Sequence, residues 1–159
     1  LRLFADAMTS TLLSNGGLYI SGQGQFEIQS PDGRVFRFAP AGDLECLIDC
    51  GVSPNRLVLN KAKNLLFVGM KRACHLRHIP LPRDGGPCYK IGVFQNLSGC
   101  PVCPDGMCLG NDGNLYVNHF VLGVIWVFGP TWIPLYRINS CLGAKITNMA
   151  FGDAGNRTL

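Results

Sequence analysis

Four oxygen-bearing side chains stand at matching places in a repeated pattern: Asp6, Asn55, Asp105 and Asn148. Each opens a short apolar stretch that a second strand follows. Asn55 lies 10 residues before Leu65, Asp105 lies 10 before Leu115, Asn148 lies 11 before Leu159, and Asp6 lies 12 before Leu18. If the repeats surround an axis with their first strands innermost, the four side chains face one another across a channel. Carboxylates crowded there repel and resist ionising unless they are paired or bound to a cation. Carboxylate and carboxamide oxygens together suit hard cations such as calcium, magnesium or manganese. Asp and Asn also start strands simply by forming Asx turns. That explains one such residue; four at equivalent places argue for a site, with Asp6 in the loosest register.

The elements that must position these groups are short strands. Leu18, Leu65 and Leu115 are 47 and 50 residues apart and begin the second strand of each unit. The clearest unit reads Asp105 to Leu109, the turn Asn111-Asp112-Gly113, Asn114 to Val117, Val124 to Pro130, and Pro134 to Ile138. The middle unit reads Asn55 to Leu59, a turn at Lys61 to Lys63, Asn64 to Val68, His75 to Pro80, and Tyr89 to Phe94. The first reads Asp6 to Met8, a turn at Ser14 to Gly16, Gly17 to Ile20, Arg34 to Pro40, and Leu44 to Ile48. A fourth opens at Asn148 to Phe151. The stretches are rich in β-branched and aromatic residues, are bounded by turn residues, and show no helical period. Four strands per 40 to 50 residues is the mark of a propeller blade. The chain is therefore expected to be all-β, a single partial β-propeller domain over residues 1–159. Its blade units are about 6–50, 55–100 and 105–140, and a further one begins at 146–159. A β-sandwich is the alternative, but it gives no reason for an Asx residue to recur.

Composition removes several function classes. Charged residues make up only 15% of the 159, which excludes a disordered tail or a coiled coil. The net charge of +4 is scattered, and only Lys71-Arg72 sit together; a solvated loop accounts for them better than a nucleic-acid patch. No apolar run is long enough to span a bilayer as a helix. Neither a nucleic acid nor a membrane is thus an expected partner. Of the eight cysteines, several occupy ordinary apolar strand positions, which favours reduced thiols. Cys100-Pro101-Val102-Cys103 lacks a second ligand pair at zinc spacing and the βαβ setting of a redox motif. His75 and His78 point to opposite faces if the segment is extended.

The segment Pro104-Asp105-Gly106-Met107, followed by Asn111-Asp112-Gly113-Asn114-Leu115-Tyr116-Val117, resembles the signature of the senescence marker protein, gluconolactonase and luciferin-regenerating-enzyme superfamily. Ser53-Pro54-Asn55-Arg56-Leu57 is similar to its Pro-Asn-Gly-Leu segment, with Arg56 in place of Gly. Thr147-Asn148-Met149-Ala150-Phe151-Gly152 matches the segment that follows. The resemblance implies about three blades of a six-bladed calcium-dependent lactonase propeller. It implies Asn55 and Asp105 as metal ligands and Asp105 also as general base. Asp6 would contact metal or substrate, and Asn148 would line the channel beside a bound substrate. The implied cofactor is Ca2+ or another divalent cation such as Zn2+, Mg2+ or Mn2+. The family's Glu-Gly-Pro ligand segment has no counterpart; Glu27 and Glu45 lie outside any such segment.

The function expected is hydrolysis of a small-molecule lactone, the cation polarising the carbonyl and Asp105 activating water. A non-catalytic propeller scaffold is the alternative from another class, as is an inactive truncated homologue. The chain stops within a blade at Leu159, so open sheet edges prone to pairing are expected.

Overall fold

The computed structural model describes residues 7–13, 16–25, 29, 31–99, 102–141, 143–155 and 157–159. Twelve strands form three four-stranded antiparallel sheets, each strand paired with its sequence neighbours, and no helix occurs among the described residues. The first sheet holds β1 (Ala7–Leu12), β2 (Leu18–Gly22), β3 (Gly33–Phe38) and β4 (Leu44–Gly51). The second holds β5 (Pro54–Leu59), β6 (Leu65–Met70), β7 (His75–Pro80) and β8 (Gly92–Asn96). The third holds β9 (Met107–Leu109), β10 (Leu115–His119), β11 (Val124–Phe128) and β12 (Pro134–Asn139). The first strands are neighbours: β5 touches β1 on one side and β9 on the other. This is a partial β-propeller, with β1, β5 and β9 innermost.

Alternation along the middle sheet builds two cores. Leu57, Leu66, Val68, Met70 and Ile79 pack with Tyr19, Val35 and Ile48 of the first sheet. Val58, Phe67 and Leu76 pack with Met107, Leu115, Val117 and Phe128 of the third. Successive side chains of a strand point to opposite faces, so a sheet covered on both sides needs apolar residues at every position. That is why Leu65–Met70 reads as a continuous apolar run. Burying each of these side chains is worth roughly 1.5–3 kcal/mol. Phe67, Phe94, Phe128 and Trp132 close the second core with ring centroids 4.7–5.9 Å apart.

Three differences from the sequence pattern have local causes. β8 begins at Gly92 rather than Tyr89, and Tyr89 is fully open to water. The His78 ring packs over Gly92 so closely that a Cβ there would lie 2.6 Å from it, and this contact sets the register. β9 begins at Met107, because Asp105 and Gly106 together face the single residue Asn118 of β10, a bulge-like offset that breaks the regular ladder. Among its described residues the segment opening at Asn148 forms no strand, only the bridge between Gly152 and Thr158. It docks on the third sheet through Tyr116 and Phe151, whose rings meet edge to face at 4.9 Å.

The turn before β10 places Gly113 at φ 83°, and the equivalent turn before β6 places Lys63 at φ 55°. A non-glycine residue there costs about 1 kcal/mol. The turn is held nonetheless, because Asn60 Oδ1 accepts hydrogen bonds from the backbone N–H of Asn64 and Leu65, both at 3.0 Å. Lys63→Gly is therefore expected to stabilise the fold by about 0.5 kcal/mol, net of the entropy glycine adds to the unfolded chain, as read by denaturant unfolding.

Burial holds the imidazolium forms of His75 and His119 unfavourable, and at His75 the Arg77 guanidinium, 3.1 Å from Nε2, adds to the effect. Both pKa values fall below 6.5 in the fold. The unfolded chain then binds more protons, so this part of the stability is complete above about pH 6.5 and is lost as pH falls through that value. A thermal midpoint that declines between about pH 6.5 and 5, above the carboxylate range, is expected. A flatter profile in the His75→Gln, His119→Gln double variant would assign the decline to these rings.

Candidate functional site

The inner strands end where Asn55 and Asp105 meet. Asn55 is buried near the start of β5, and its backbone carbonyl accepts a hydrogen bond from Ser21 Oγ of β2 at 2.5 Å. Asp105 precedes β9. Its backbone N–H donates to the Asn118 carbonyl at 3.2 Å, while the Asn118 N–H donates to the Gly106 carbonyl at 2.9 Å. The backbone at Asn55 is thus tied to the first sheet, and that at Asp105 to β10 of its own sheet. Asn55 Nδ2 donates to Asp105 Oδ1 at 2.9 Å, joining two consecutive blades.

A third group belongs to this cluster. Lys71 Nζ lies 2.9 Å from Asp105 Oδ2, with 19% of the lysine side chain and 13% of the aspartate side chain exposed. Its backbone is fixed on both sides: the Lys71 N–H donates to the Ser53 carbonyl at 2.9 Å, and its carbonyl accepts from the Cys103 N–H at 2.9 Å. The ammonium also sits 5.5 Å from the centroid of the Phe120 ring, within cation–π range. Lys71 is therefore no solvated loop cation, and this corrects the sequence reading of Lys71-Arg72. The residue follows Met70, which pairs with Pro54, so it emerges beside the Ser53-Pro54-Asn55 segment.

Asn148 lies close by without bonding to Asp105. A Cβ on Gly106 would come within 2.7 Å of the Asn148 Cα, so only glycine admits the segment there. Asn148 Oδ1 accepts from Arg56 and from the Met149 N–H. Arg56 also donates to Thr9 Oγ1 of β1 at 3.3 Å, so it reaches from the first sheet to the fourth segment. Of the four Asx residues, two meet directly, Asn148 is held by Arg56, and Asp6 lies outside the described residues. Cys100 of the Cys-x-x-Cys motif also lies outside them; the seven described cysteines form no disulfides. His75 and His78 occupy positions of opposite parity in β7 and do not share a face. A groove of about 470 Å³ runs along the inner strands, lined by Thr9, Arg56, Met107 and Cys108 among others.

The family expectation of a divalent cation can be tested against this donor set. Such an ion takes six or more oxygens, with carboxylates supplying the charge. The cluster offers one carboxylate and one carboxamide, and an ammonium already lies against the carboxylate. Among the described residues no three His, Cys, Asp or Glu side chains gather to hold a metal ion. As arranged, these residues do not fit a divalent cation.

Removing one partner of a largely buried pair strands the other charge, whereas removing both does not. Lys71→Met and Asp105→Asn should each destabilise by about 2–4 kcal/mol, and the double variant by less than their sum. Denaturant unfolding of the four proteins measures this coupling; additive losses would deny it.

Relatives share this architecture. No curated protein matches the chain. Among solved structures, the calcium-binding protein regucalcin from Agrobacterium tumefaciens is similar at 20% identity and a TM-score of 0.77, over 91% of this chain and 48% of that one. A luciferin-regenerating enzyme is similar at 13% identity and a TM-score of 0.77, over 91% and 49%. A gluconolactonase from Xanthomonas campestris is similar at 19% identity and a TM-score of 0.72, over 94% and 51%. At these identities the likeness is one of fold, and the chain spans about half the length of these relatives. The model of the SMP-30/Gluconolactonase/LRE-like region matches residues 11–159. Nearly the whole chain thus carries that pattern, and the protein belongs to the SMP-30/gluconolactonase/LRE-like family.

Proposed function

We propose that the Asn55–Asp105 pair is the reaction centre of a lactone hydrolase. Membership of a gluconolactonase-like family supports lactonase-type hydrolysis in general terms. The observation that carries the assignment to this site is the 2.9 Å contact between Asn55 and Asp105, the two motif residues supplied by consecutive blades. Family relatives point to a divalent cation, but activation of water needs only a base, and this chain supplies one.

Asp105 is the group to accept a proton from water as it attacks the lactone carbonyl carbon. The ring C–O bond then breaks, the departing ring oxygen takes up a proton, and a hydroxy acid is formed. Asn55 holds one carboxylate oxygen and Lys71 the other, so the carboxylate is fixed in direction and one of its remaining lone pairs is the one to take the proton. Arg56, which lines the inner-strand groove, and Asn148, which it holds, are assigned contacts with substrate oxygens, and Asp6 is assigned the same role from its repeat position. No role for nucleic acid or membrane enters this reading.

One observation favours a second reading, a non-catalytic binding scaffold. Both Asp105 oxygens are already engaged, and Arg56 bridges Thr9 and Asn148 where family members carry glycine. The two readings separate on a panel of five- and six-membered sugar lactones, with proton release as the signal. Hydrolysis by the chain, reduced at least about 100-fold in Asp105→Asn with the fold intact by circular dichroism, is the outcome expected of the enzyme. Rates no faster than spontaneous opening would establish the scaffold. Turnover that survives Asp105→Asn would move the site elsewhere.

A further inference from the structure

We propose that Lys71 is the built-in cation of the axial site: its ammonium stands where a divalent ion would bind Asp105, so the Asn55–Asp105 pair is assembled without metal. The inference concerns the same site as the lactonase reading but rests on its charge and geometry. Failure to hydrolyse a lactone would leave it standing, and its own failure would leave that reading standing.

Among the described residues Asp105 is the one carboxylate in the cluster, and the Lys71 ammonium at 2.9 Å balances it. Asn55 turns its NH2 toward the carboxylate, the orientation that serves an anion already neutralised from the other side. A divalent ion brought to the same carboxylate would meet a fixed like charge in a largely water-excluded setting, where repulsion is poorly screened. The ammonium therefore satisfies the charge need that a metal satisfies elsewhere, and opposes the metal's entry.

A surface lysine can swing into water away from an incoming ion; this one springs from a fixed backbone and has only 19% of its side chain exposed. Lys71 has its backbone N–H on Ser53 and its backbone carbonyl on Cys103, so it is stitched between the lead-in segments of β5 and β9. Those same segments carry Asn55 and Asp105. The Phe120 ring covers the ammonium at 5.5 Å and adds a second attraction for a cation at that point. The fixed backbone, the carboxylate partner and the aromatic ring all place positive charge at one spot, and among the described residues no three His, Cys, Asp or Glu side chains gather to recruit a second cation.

The test is calcium binding, read without turnover. Thermal unfolding and titration calorimetry are run on the 159-residue chain, on Lys71→Arg, on Lys71→Met and Lys71→Gln, and on each neutral variant combined with Asp105→Asn. Calcium chloride at up to millimolar concentration is the probe, and EDTA the control. The wild type and Lys71→Arg are expected to melt at the same temperature with calcium or EDTA. Lys71→Met and Lys71→Gln are expected to melt lower, to gain a calcium-dependent rise in midpoint, and to bind calcium at least about tenfold more tightly than wild type. Adding Asp105→Asn should abolish that gain. Calcium stabilisation of the wild type that is lost in Asp105→Asn would overturn the proposal. So would neutral variants that ignore calcium, or that fail to fold at every calcium concentration, because the ion would then be unable to take the ammonium's place.

Discussion

A sheet buried on both faces cannot shift against either neighbour without opening a core, and that constraint governs this molecule. The middle sheet sends Leu57 and Leu66 toward one partner sheet and Val58 and Phe67 toward the other. Strand alternation makes the two cores inseparable, since any slip of β5 or β6 by one residue would exchange their side chains. The inner ends of β5 and β9 are therefore fixed relative to one another by apolar packing some distance away. The polar contact between Asn55 and Asp105 inherits its geometry from this packing.

The polar cluster in turn depends on being nearly closed to water. A carboxylate and an ammonium at this degree of burial gain more from each other than a surface pair would, and lose more when separated. Arg56 works differently. It is partly exposed and spans from Thr9 to Asn148, so it ties the first sheet to the fourth segment across the border of the groove. One cation thus completes the axial cluster while the other links units that share no strand pairing.

Much of the fold was legible in the sequence because repetition is a one-dimensional property. The spacing of Leu18, Leu65 and Leu115 marks the second strand of all three sheets, and Asn55 and Asp105 mark the approaches to β5 and β9, whereas Asn148 opens no strand among the described residues. The pairing of Asn55 with Asp105 follows from placing equivalent strands side by side. Lys71 was not legible, because its importance comes from lateral distance: the end of β6 lies next to the start of the following blade, and no period encodes that closeness. The same holds for Asn148, whose oxygen is taken by an arginine 92 residues away in sequence. The start of β8 escaped for a smaller reason. Tyr89 has strand propensity, but packing of His78 over Gly92 decided the register, as tertiary contacts commonly override local preference.

The aromatic cluster gives the molecule an internal optical gauge. Trp132 belongs to the loop between β11 and β12 yet rests edge-on against Phe67 of the neighbouring sheet, 4.7 Å between centroids. Trp126, in β11, instead gives its indole N–H to His119 Nδ1 at 3.1 Å. One indole thus senses whether two sheets are docked, and the other senses the protonation of a single imidazole. The intrinsic fluorescence of this chain is therefore expected to combine two signals, one of contact between blades at Trp132 and one of local acidity at Trp126.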